Sequence, residues 1–163
     1  MSLEPEAFRE VMGRLAGGVT VVTALGGDGR PRGFTATAVC SVSLVPPLVL
    51  VCVGADAATP GAIREAGRYA LNFLRSEDTA TADRFAGSKG TKFEGVEWVA
   101  APGGSPLLPG GLAWVACTVE SEVEAGDHTI FIGRVAAAAI DSAQEPPLVH
   151  FGGRYHTLAS LDQ

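Results

Sequence analysis

The sequence GFTATAVCSVSLVPPLVLVCV, from Gly33 to Val53, decides how the rest of the chain is interpreted. It predicts two strands joined around Pro46 and Pro47, and the second is apolar at every position from Leu48 onward. Short runs of β-branched residues between turn signals are typical of strands. A strand that is apolar throughout is expected to be covered on both faces, so its neighbour is not expected at an exposed edge. The stretch therefore predicts the centre of a sheet.

Alternating or β-branched runs predict further strands at 19–25, 69–74, 112–124, 128–140 and 147–151. The glycine-rich cluster 26–33 predicts a hairpin after the first of them, and Ala125-Gly126-Asp127 predicts a second hairpin. In the run 112–124, alternation places Cys117, Val119 and Val123 on one covered face. Several short strands without regular alternation of strand and helix favour an antiparallel barrel.

Three short helices complete the predicted elements. The first begins near Pro5 and ends before Gly17-Gly18, and its apolar face (Phe8, Val11, Met12 and Leu15) is expected to cover a sheet or a barrel end. The second begins at Thr59-Pro60 and ends at Gly67. The third begins at Ser76 and ends at Gly87.

Composition limits the classes of function. With 163 residues, 47% hydrophobic and 18% charged, the chain is expected to fold as one domain, residues 1–163. A net charge of −6 opposes nucleic-acid binding. Three cysteines without C-x-x-C spacing favour buried, reduced thiols in a cytoplasmic protein, and neither a signal peptide nor a membrane span is indicated.

Hydroxyl groups recur in the run 35–43, where strand geometry places Thr35, Thr37, Ser41 and Ser43 on one face. A solvent-facing strand rich in threonine and serine is one interpretation. The other is a face whose hydroxyls and backbone amides hydrogen-bond the polar rim of a planar heterocycle.

The segment DRFAGSKGTKF places Arg84, Lys89 and Lys92 around a predicted helix end and a glycine-containing loop. Cations and backbone amides in such a loop can hold a phosphate group. A solvated helix end fits the spacing equally well.

The run GDHTIFIGRV, from Gly126 to Val135, places His128 directly after a turn, where it is either an ordinary first strand residue or a ligand-contacting group. Arg154 and Tyr155 in the tail either close over a pocket or end the chain. The sequence contains no metal-ligand cluster, no G-x-S-x-G and no paired acidic motif. An enzyme with so few acids and bases is expected to rely on a cofactor, and hydride transfer fits that expectation.

Taken in order, GFTATAVCSVSLVPPLVLVCV, ALNFL, RFAG with a following KF, GDHTIFIGRV and FGGRYHTL resemble the short-chain flavin reductase family. The resemblance spans about residues 8–158. It implies a homodimeric split β-barrel, a Greek-key fold of the FMN-binding type, that binds FMN or FAD. It also implies reduction of that flavin by NADH or NADPH and its release to a partner flavin-dependent monooxygenase.

The resemblance also implies roles for individual residues. His128, in the Gly-Asp-His motif, is implied to lie near the nicotinamide and is the one catalytic candidate. The residues implied to bind the cofactor are Thr35, Ala36, Thr37, Ser41, Val42, Ser43, Cys52, Val53, Phe85, Lys89, Lys92, Phe93, Arg154 and Tyr155. No metal is implied. Relatives often carry a further basic residue in the tail where this chain has Gly153 or Thr157, so no residue is assigned to the 2′-phosphate of NADPH.

Two alternatives to a flavin reductase stay open at this point. The first is a flavin-binding split-barrel protein without catalytic activity. The second is a heme-handling or structural β-barrel, which would bind no flavin.

Overall fold

A computed structural model describes residues 3–54, 58–87 and 92–160. The elements in these ranges are, in chain order, α1 (Pro5–Met12), β1 (Gly17–Gly18), β2 (Thr20–Leu25), β3 (Pro31–Ala36), β4 (Val39–Leu44), β5 (Pro47–Gly54), α2 (Ala58–Ala66), β6 (Arg68–Phe73), α3 (Thr79–Ala86), β7 (Val99–Ala100), β8 (Pro106–Leu107), β9 (Ala113–Ala125), β10 (His128–Ile140), β11 (Leu148–Phe151) and β12 (Arg154–Thr157). No helix in this part of the chain is long and apolar enough to cross a membrane.

Seven strands form the main sheet in the order β3-β2-β6-β9-β10-β5-β4. Its two edge strands, β3 and β4, are consecutive in the sequence and only Thr37 and Ala38 separate them. Ala36 on β3 also packs in one buried cluster with Val51 and Val53 on β5. Because the chain passes directly from one edge to the other, the sheet curves round on itself. The predicted fold, a mainly β antiparallel split barrel with three helices, is confirmed.

Two small sheets accompany the barrel. β1, β11 and β12 form a three-stranded sheet, and β7 pairs with β8. No strand is predicted in the tail, but residues 154–157 pair back on β11. The glycines at 17 and 18 pair with His150 and Val149. Glycine has no side chain that would indicate a strand, so the sequence predicts only the end of a helix there.

The barrel interior holds a large buried side chain, Tyr69, opposite a residue that has none. A Cβ on Gly133 would lie 2.8 Å from Cys117 Cβ and would collide with the Tyr69 hydroxyl. Glycine at 133 therefore makes room for the ring. Burial raises the pKa of the Cys117 thiol to about 12, so it stays protonated. The prediction of buried thiols is right for Cys117 and wrong for Cys40, which is exposed on the edge strand β4, while Cys52 is half-buried.

A second buried cluster lies where α3 meets the barrel. Its fully or nearly buried members are Val19, Val21, Leu74, Ala82, Phe85, Leu108 and Leu148, and Phe93, Val96 and Tyr155 pack against them. It joins β2, α3, β11 and β12 at one end of the sheet.

Two predictions about packing and one about a helix boundary are wrong. β4 is an edge strand, and the outward side chains of β5, such as Leu50, are half-buried because nothing in the described chain covers them. No residue of α1 is buried, so this helix does not cover the barrel. α3 begins at Thr79, three residues later than predicted, because the Asp78 carboxylate accepts a bond from the Arg75 backbone amide (2.8 Å) and closes a turn there.

A β-bulge explains a fourth error. Gly133 pairs with Val119 while Ile132 pairs with Ser121, so Glu120 is an extra residue in β9. One inserted residue reverses the faces beyond it. Val123, predicted on the covered face with Cys117, is therefore 50% exposed.

Candidate active site

Residues 35–43, here called the crossover, carry the chain from β3 to β4. The predicted single row of hydroxyls is wrong, because Ser41 pairs with Val49 while Ser43 pairs with the adjacent Leu48. Paired residues share a face, so the bulge at Val42 places the two serines on opposite faces. Thr37 and Ser41 are exposed, Thr35 and Ser43 are half-buried, and Ala36 is buried.

The Thr35 hydroxyl already has a protein partner. Its Oγ1 donates to the Ala82 carbonyl of α3 at 2.6 Å. This bond ties the end of β3 to α3 and takes the only proton that the hydroxyl can donate. The remaining capacity of Thr35 is that of an acceptor.

Five residues form what we call the α3–β3 junction: Gly33, Thr35, Phe85, Lys92 and Phe93. Phe85 is fully buried, and its ring meets Phe93 edge to face with centroids 5.0 Å apart. A Cβ on Gly33 would lie 3.0 Å from Phe85 Cε1, so this glycine lets α3 approach β3 closely.

Lys92 completes the junction. Its Nζ donates to the Phe85 carbonyl at 2.8 Å and to the Gly33 carbonyl at 3.2 Å. Partial burial lowers the pKa of the ammonium group. Lys89, the other predicted cation of this loop, lies outside the described residues.

The tail reaches the same junction. Tyr155 is half-buried and packs with Phe85 and Phe93 in one cluster. Burial raises the pKa of its phenol, and the nearby Asp83 carboxylate on α3 raises it further. Arg154 is exposed at the start of β12. The tail therefore packs against α3 and the loop that follows it.

His128 occupies the tip of the β9–β10 hairpin. Gly126, with φ of 64°, makes the turn, as predicted. The exposed His128 ring meets the Asp127 carboxylate, with Nδ1 and Oδ1 2.7 Å apart, which leaves Nε2 directed elsewhere. This hydrogen bond is the main reason why the pKa of Asp127 lies below its ordinary value.

β5 connects the turn to the crossover. His128 pairs with Gly54 and Ile130 pairs with Cys52. On its other side, the Cys52 amide donates to the Ala38 carbonyl at 3.0 Å. Val53 is fully buried and Cys52 is half-buried. The end of β5 therefore lies between the crossover and the strand that carries His128.

Sequence reasoning missed Gly33 and Asp83 at this site. Gly33 was read as the last residue of a turn cluster, because the sequence does not show that Phe85 packs against it. Asp83 resembles an ordinary helix residue in the sequence, and its effect on the pKa of Tyr155 acts across 72 positions. No local sequence pattern indicates either of these long-range contacts.

A cavity of about 410 Å³ lies at the β2–β3 turn and is lined by residues such as Asp28, Arg32 and Glu65, none of which is a predicted site residue. It lies at the far end of β3 from the crossover. In the described ranges, no group of three or more His, Cys, Asp or Glu side chains is arranged to hold a metal ion.

Comparison with known proteins gives the family. The model of the flavin reductase-like domain matches residues 12–159. The chain is 37% identical over 154 residues to a flavin-dependent monooxygenase reductase subunit, HsaB, from Rhodococcus jostii. This alignment covers 94% of this chain and 78% of that protein. It is 40% identical over 155 residues to a flavin reductase (NADH) from Kitasatospora aureofaciens, with 94% and 81% covered.

A solved structure agrees. The NADH:FAD oxidoreductase SgcE6 from Streptomyces globisporus, in complex with NAD and FAD fragments, superposes with a TM-score of 0.88 at 36% identity, covering 98% of this chain and 97% of that one. These matches confirm the predicted enzyme class, a flavin reductase. The chain belongs to the flavin reductase-like domain family.

Proposed function

We propose that this chain forms a single domain over residues 1–163 that transfers a hydride from NADH or NADPH to FMN or FAD and releases the reduced flavin to a partner flavin-dependent monooxygenase. One observation gives the strongest support for hydride transfer between two ligands at this site. The end of β5 contacts the crossover on one side and the strand carrying His128 on the other. Two flat ligands can therefore meet beside one strand. Proximity of this kind supplies much of the acceleration of a two-substrate reaction.

The crossover and the junction are the proposed flavin site. Thr37 and Ser41 offer exposed hydroxyls for the polar rim of the ring, with Val42, Ser43 and Cys52 beside them. Ala36, Val53 and Phe85 are buried, so their contribution is backbone contact or support from below. Lys92 and Phe93, with Lys89, lie in the segment proposed to reach the phosphate.

The flavin would supply the hydride-accepting chemistry, and the crossover would hold its ring beside the nicotinamide site. Backbone amides and hydroxyls of the crossover would stabilise negative charge that develops on the flavin ring. His128 would orient the nicotinamide through Nε2, since Asp127 holds Nδ1. Arg154 and Tyr155 would border the same opening from the tail.

A homodimer is part of the proposal. The exposed apolar residues include Phe8, Val11 and Leu15 near α1, and Leu44 and Val45 at the end of β4, which are 54–87% exposed. Exposed apolar surface of this extent is typical of an interaction site. Light scattering should give a mass of twice 16.7 kDa, and a monomer at micromolar concentration would contradict the dimer.

The test of the activity is NADH or NADPH oxidation, followed at 340 nm, with and without added FMN or FAD. Oxidation that requires added flavin or a co-purified flavin is expected. A folded protein that binds flavin and oxidises neither nucleotide would support the non-catalytic alternative. A protein that binds neither flavin would contradict both.

The name of one relative supports the delivery step, and the name of another supports the reduction of flavin by NADH. HsaB is named a monooxygenase reductase subunit, and SgcE6 an NADH:FAD oxidoreductase. Kinetics with both flavins and both nucleotides would identify the pair that this chain prefers. Consumption of O₂ by a flavin-dependent monooxygenase that is supplied only through this protein would test delivery.

A further inference from the structure

Lys92 places its charge against two backbone carbonyls rather than against a carboxylate. The sequence has two lysines, at 89 and 92. The Lys92 side chain is half-buried, and its ammonium group donates to one carbonyl of α3 and one of β3. Gly33 lies 59 positions from Lys92, so this contact joins distant parts of the chain.

We infer that Lys92 is a positioning residue, which fixes the end of α3 to β3 and thereby sets where the crossover begins. The inference rests on the proposed flavin site. It gives Lys92 a role beyond contact with a phosphate group, since it would act on the whole flavin through β3.

The two carbonyls explain why a cation is needed. Phe85 is the next-to-last residue of α3, and the last carbonyls of a helix have no partner within it. They also form the negative end of the helix dipole, which favours a positive charge. β3 is an edge strand paired with β2, so the Gly33 carbonyl has no second strand to bind in the described chain. Lys92 satisfies both groups at once.

Neighbouring contacts also fix α3 to the end of β3. The Phe85 ring packs against Gly33, and the Thr35 hydroxyl holds the Ala82 carbonyl at 2.6 Å. Three contacts therefore fix α3 against the last residues of β3, directly before the crossover. An ammonium group has three donors, and Lys92 uses two here. One donor remains for an anionic oxygen of a ligand.

Riboflavin distinguishes contact with the phosphate from positioning of the crossover, because it carries the ring and the ribityl chain of FMN without the phosphate. A side chain that contacts only the phosphate affects FMN affinity and leaves riboflavin affinity unchanged. A side chain that positions the crossover affects both. Quenching of flavin fluorescence measures each dissociation constant without any turnover.

The experiment compares Lys92→Met with Lys89→Met, a control that removes the same charge from the same loop. For Lys92→Met we expect the dissociation constants of FMN and riboflavin each to rise about tenfold. For Lys89→Met we expect riboflavin affinity within about twofold of wild type. A Lys92→Met protein that loses FMN affinity alone, or neither affinity, overturns the inference.

A second variant keeps the test decisive if Lys92→Met does not fold, which its circular dichroism and melting curve would show. Thr35→Val keeps both lysines and removes the hydroxyl that holds Ala82. We expect it to raise both dissociation constants by about threefold, and an unchanged riboflavin affinity overturns the inference. Wild-type protein that binds neither ligand would instead refute the proposed flavin site, and the inference with it.

Discussion

The α3–β3 junction and the β9–β10 turn are built in opposite ways. At the junction, Phe85 is fully buried and Lys92 and Thr35 donate hydrogen bonds to backbone carbonyls. At the turn, the side chains of Asp127 and His128 are 94% and 49% exposed, and in the described structure they bond to each other. One region is held by tertiary contacts, whereas the other depends on its local turn.

The difference matches what two ligands of one reaction would need. A preorganised surface loses little entropy when it binds, so the junction suits the ligand whose ring must be held in place. An exposed turn can be reached directly from solvent, which suits a nucleotide that arrives and leaves in every cycle. The comparison therefore predicts that mutations at the junction affect stability and flavin, while mutations at the turn affect the nucleotide.

The largest effect is expected for Gly33→Ala. The new Cβ would lie 3.0 Å from both Phe85 Cε1 and the Val22 carbonyl oxygen, so α3 or β2 has to move. Overpacking of this kind lowers the free energy of unfolding by about 1–3 kcal/mol. Urea denaturation measures it.

Gly61→Ala is the matched control for that change. Gly61 is exposed within α2, and a Cβ there meets nothing within 4 Å. Because alanine favours helix over glycine, stability should stay equal or rise, by up to about 1 kcal/mol. If both variants lose the same stability, the close approach at Gly33 is not what makes the junction rigid.

A smaller effect is expected for Tyr155→Phe, which decides to which region the tail belongs. The change removes the hydroxyl that lies near the Asp83 carboxylate and keeps the ring among Phe85 and Phe93. Loss of this polar interaction should lower the free energy of unfolding by up to about 1 kcal/mol. The melting temperature should fall while the KM for NADH stays unchanged. Unchanged stability with a raised KM would assign Tyr155 to the nucleotide instead.

Sequence periodicity predicted most of the barrel, and its failures have physical causes. The β9–β10 hairpin was predictable because alternating strands flank a glycine turn. The bulges at Val42 and Glu120 were not, since one inserted residue carries no signal of its own yet reverses every face beyond it. The amphipathic pattern of α1 shows an apolar face without showing what covers it.

The sequence predicted which segments form the candidate site, but it did not predict the contacts between their side chains. The ordered motifs indicated four segments of the site: the crossover, the loop after α3, the β9–β10 turn and the tail. They did not show that the Thr35 hydroxyl is occupied by Ala82, or that Lys92 reaches Gly33. Such contacts depend on the tertiary fold, which places α3 across the end of β3.

The smallest effect is expected for Asp127→Asn, measured as the melting temperature against pH. The hydrogen bond from His128 lowers the pKa of Asp127 below its ordinary value of 3.8. The carboxylate therefore stabilises the fold above about pH 4, and that contribution is lost as the pH falls through the lower folded pKa. Wild type should be slightly more stable than the variant at pH 7 and equal to it near pH 2. A difference that grows on acidification would contradict this role.

The separation of the two regions is tested most directly by rapid-mixing kinetics of flavin reduction, followed at 450 nm, in wild type and His128→Ala. The apparent dissociation constant for NADH should rise about tenfold, which corresponds to about 1.4 kcal/mol, while that for FMN stays within about twofold. A His128→Ala protein that loses flavin affinity and keeps its NADH affinity would contradict the account.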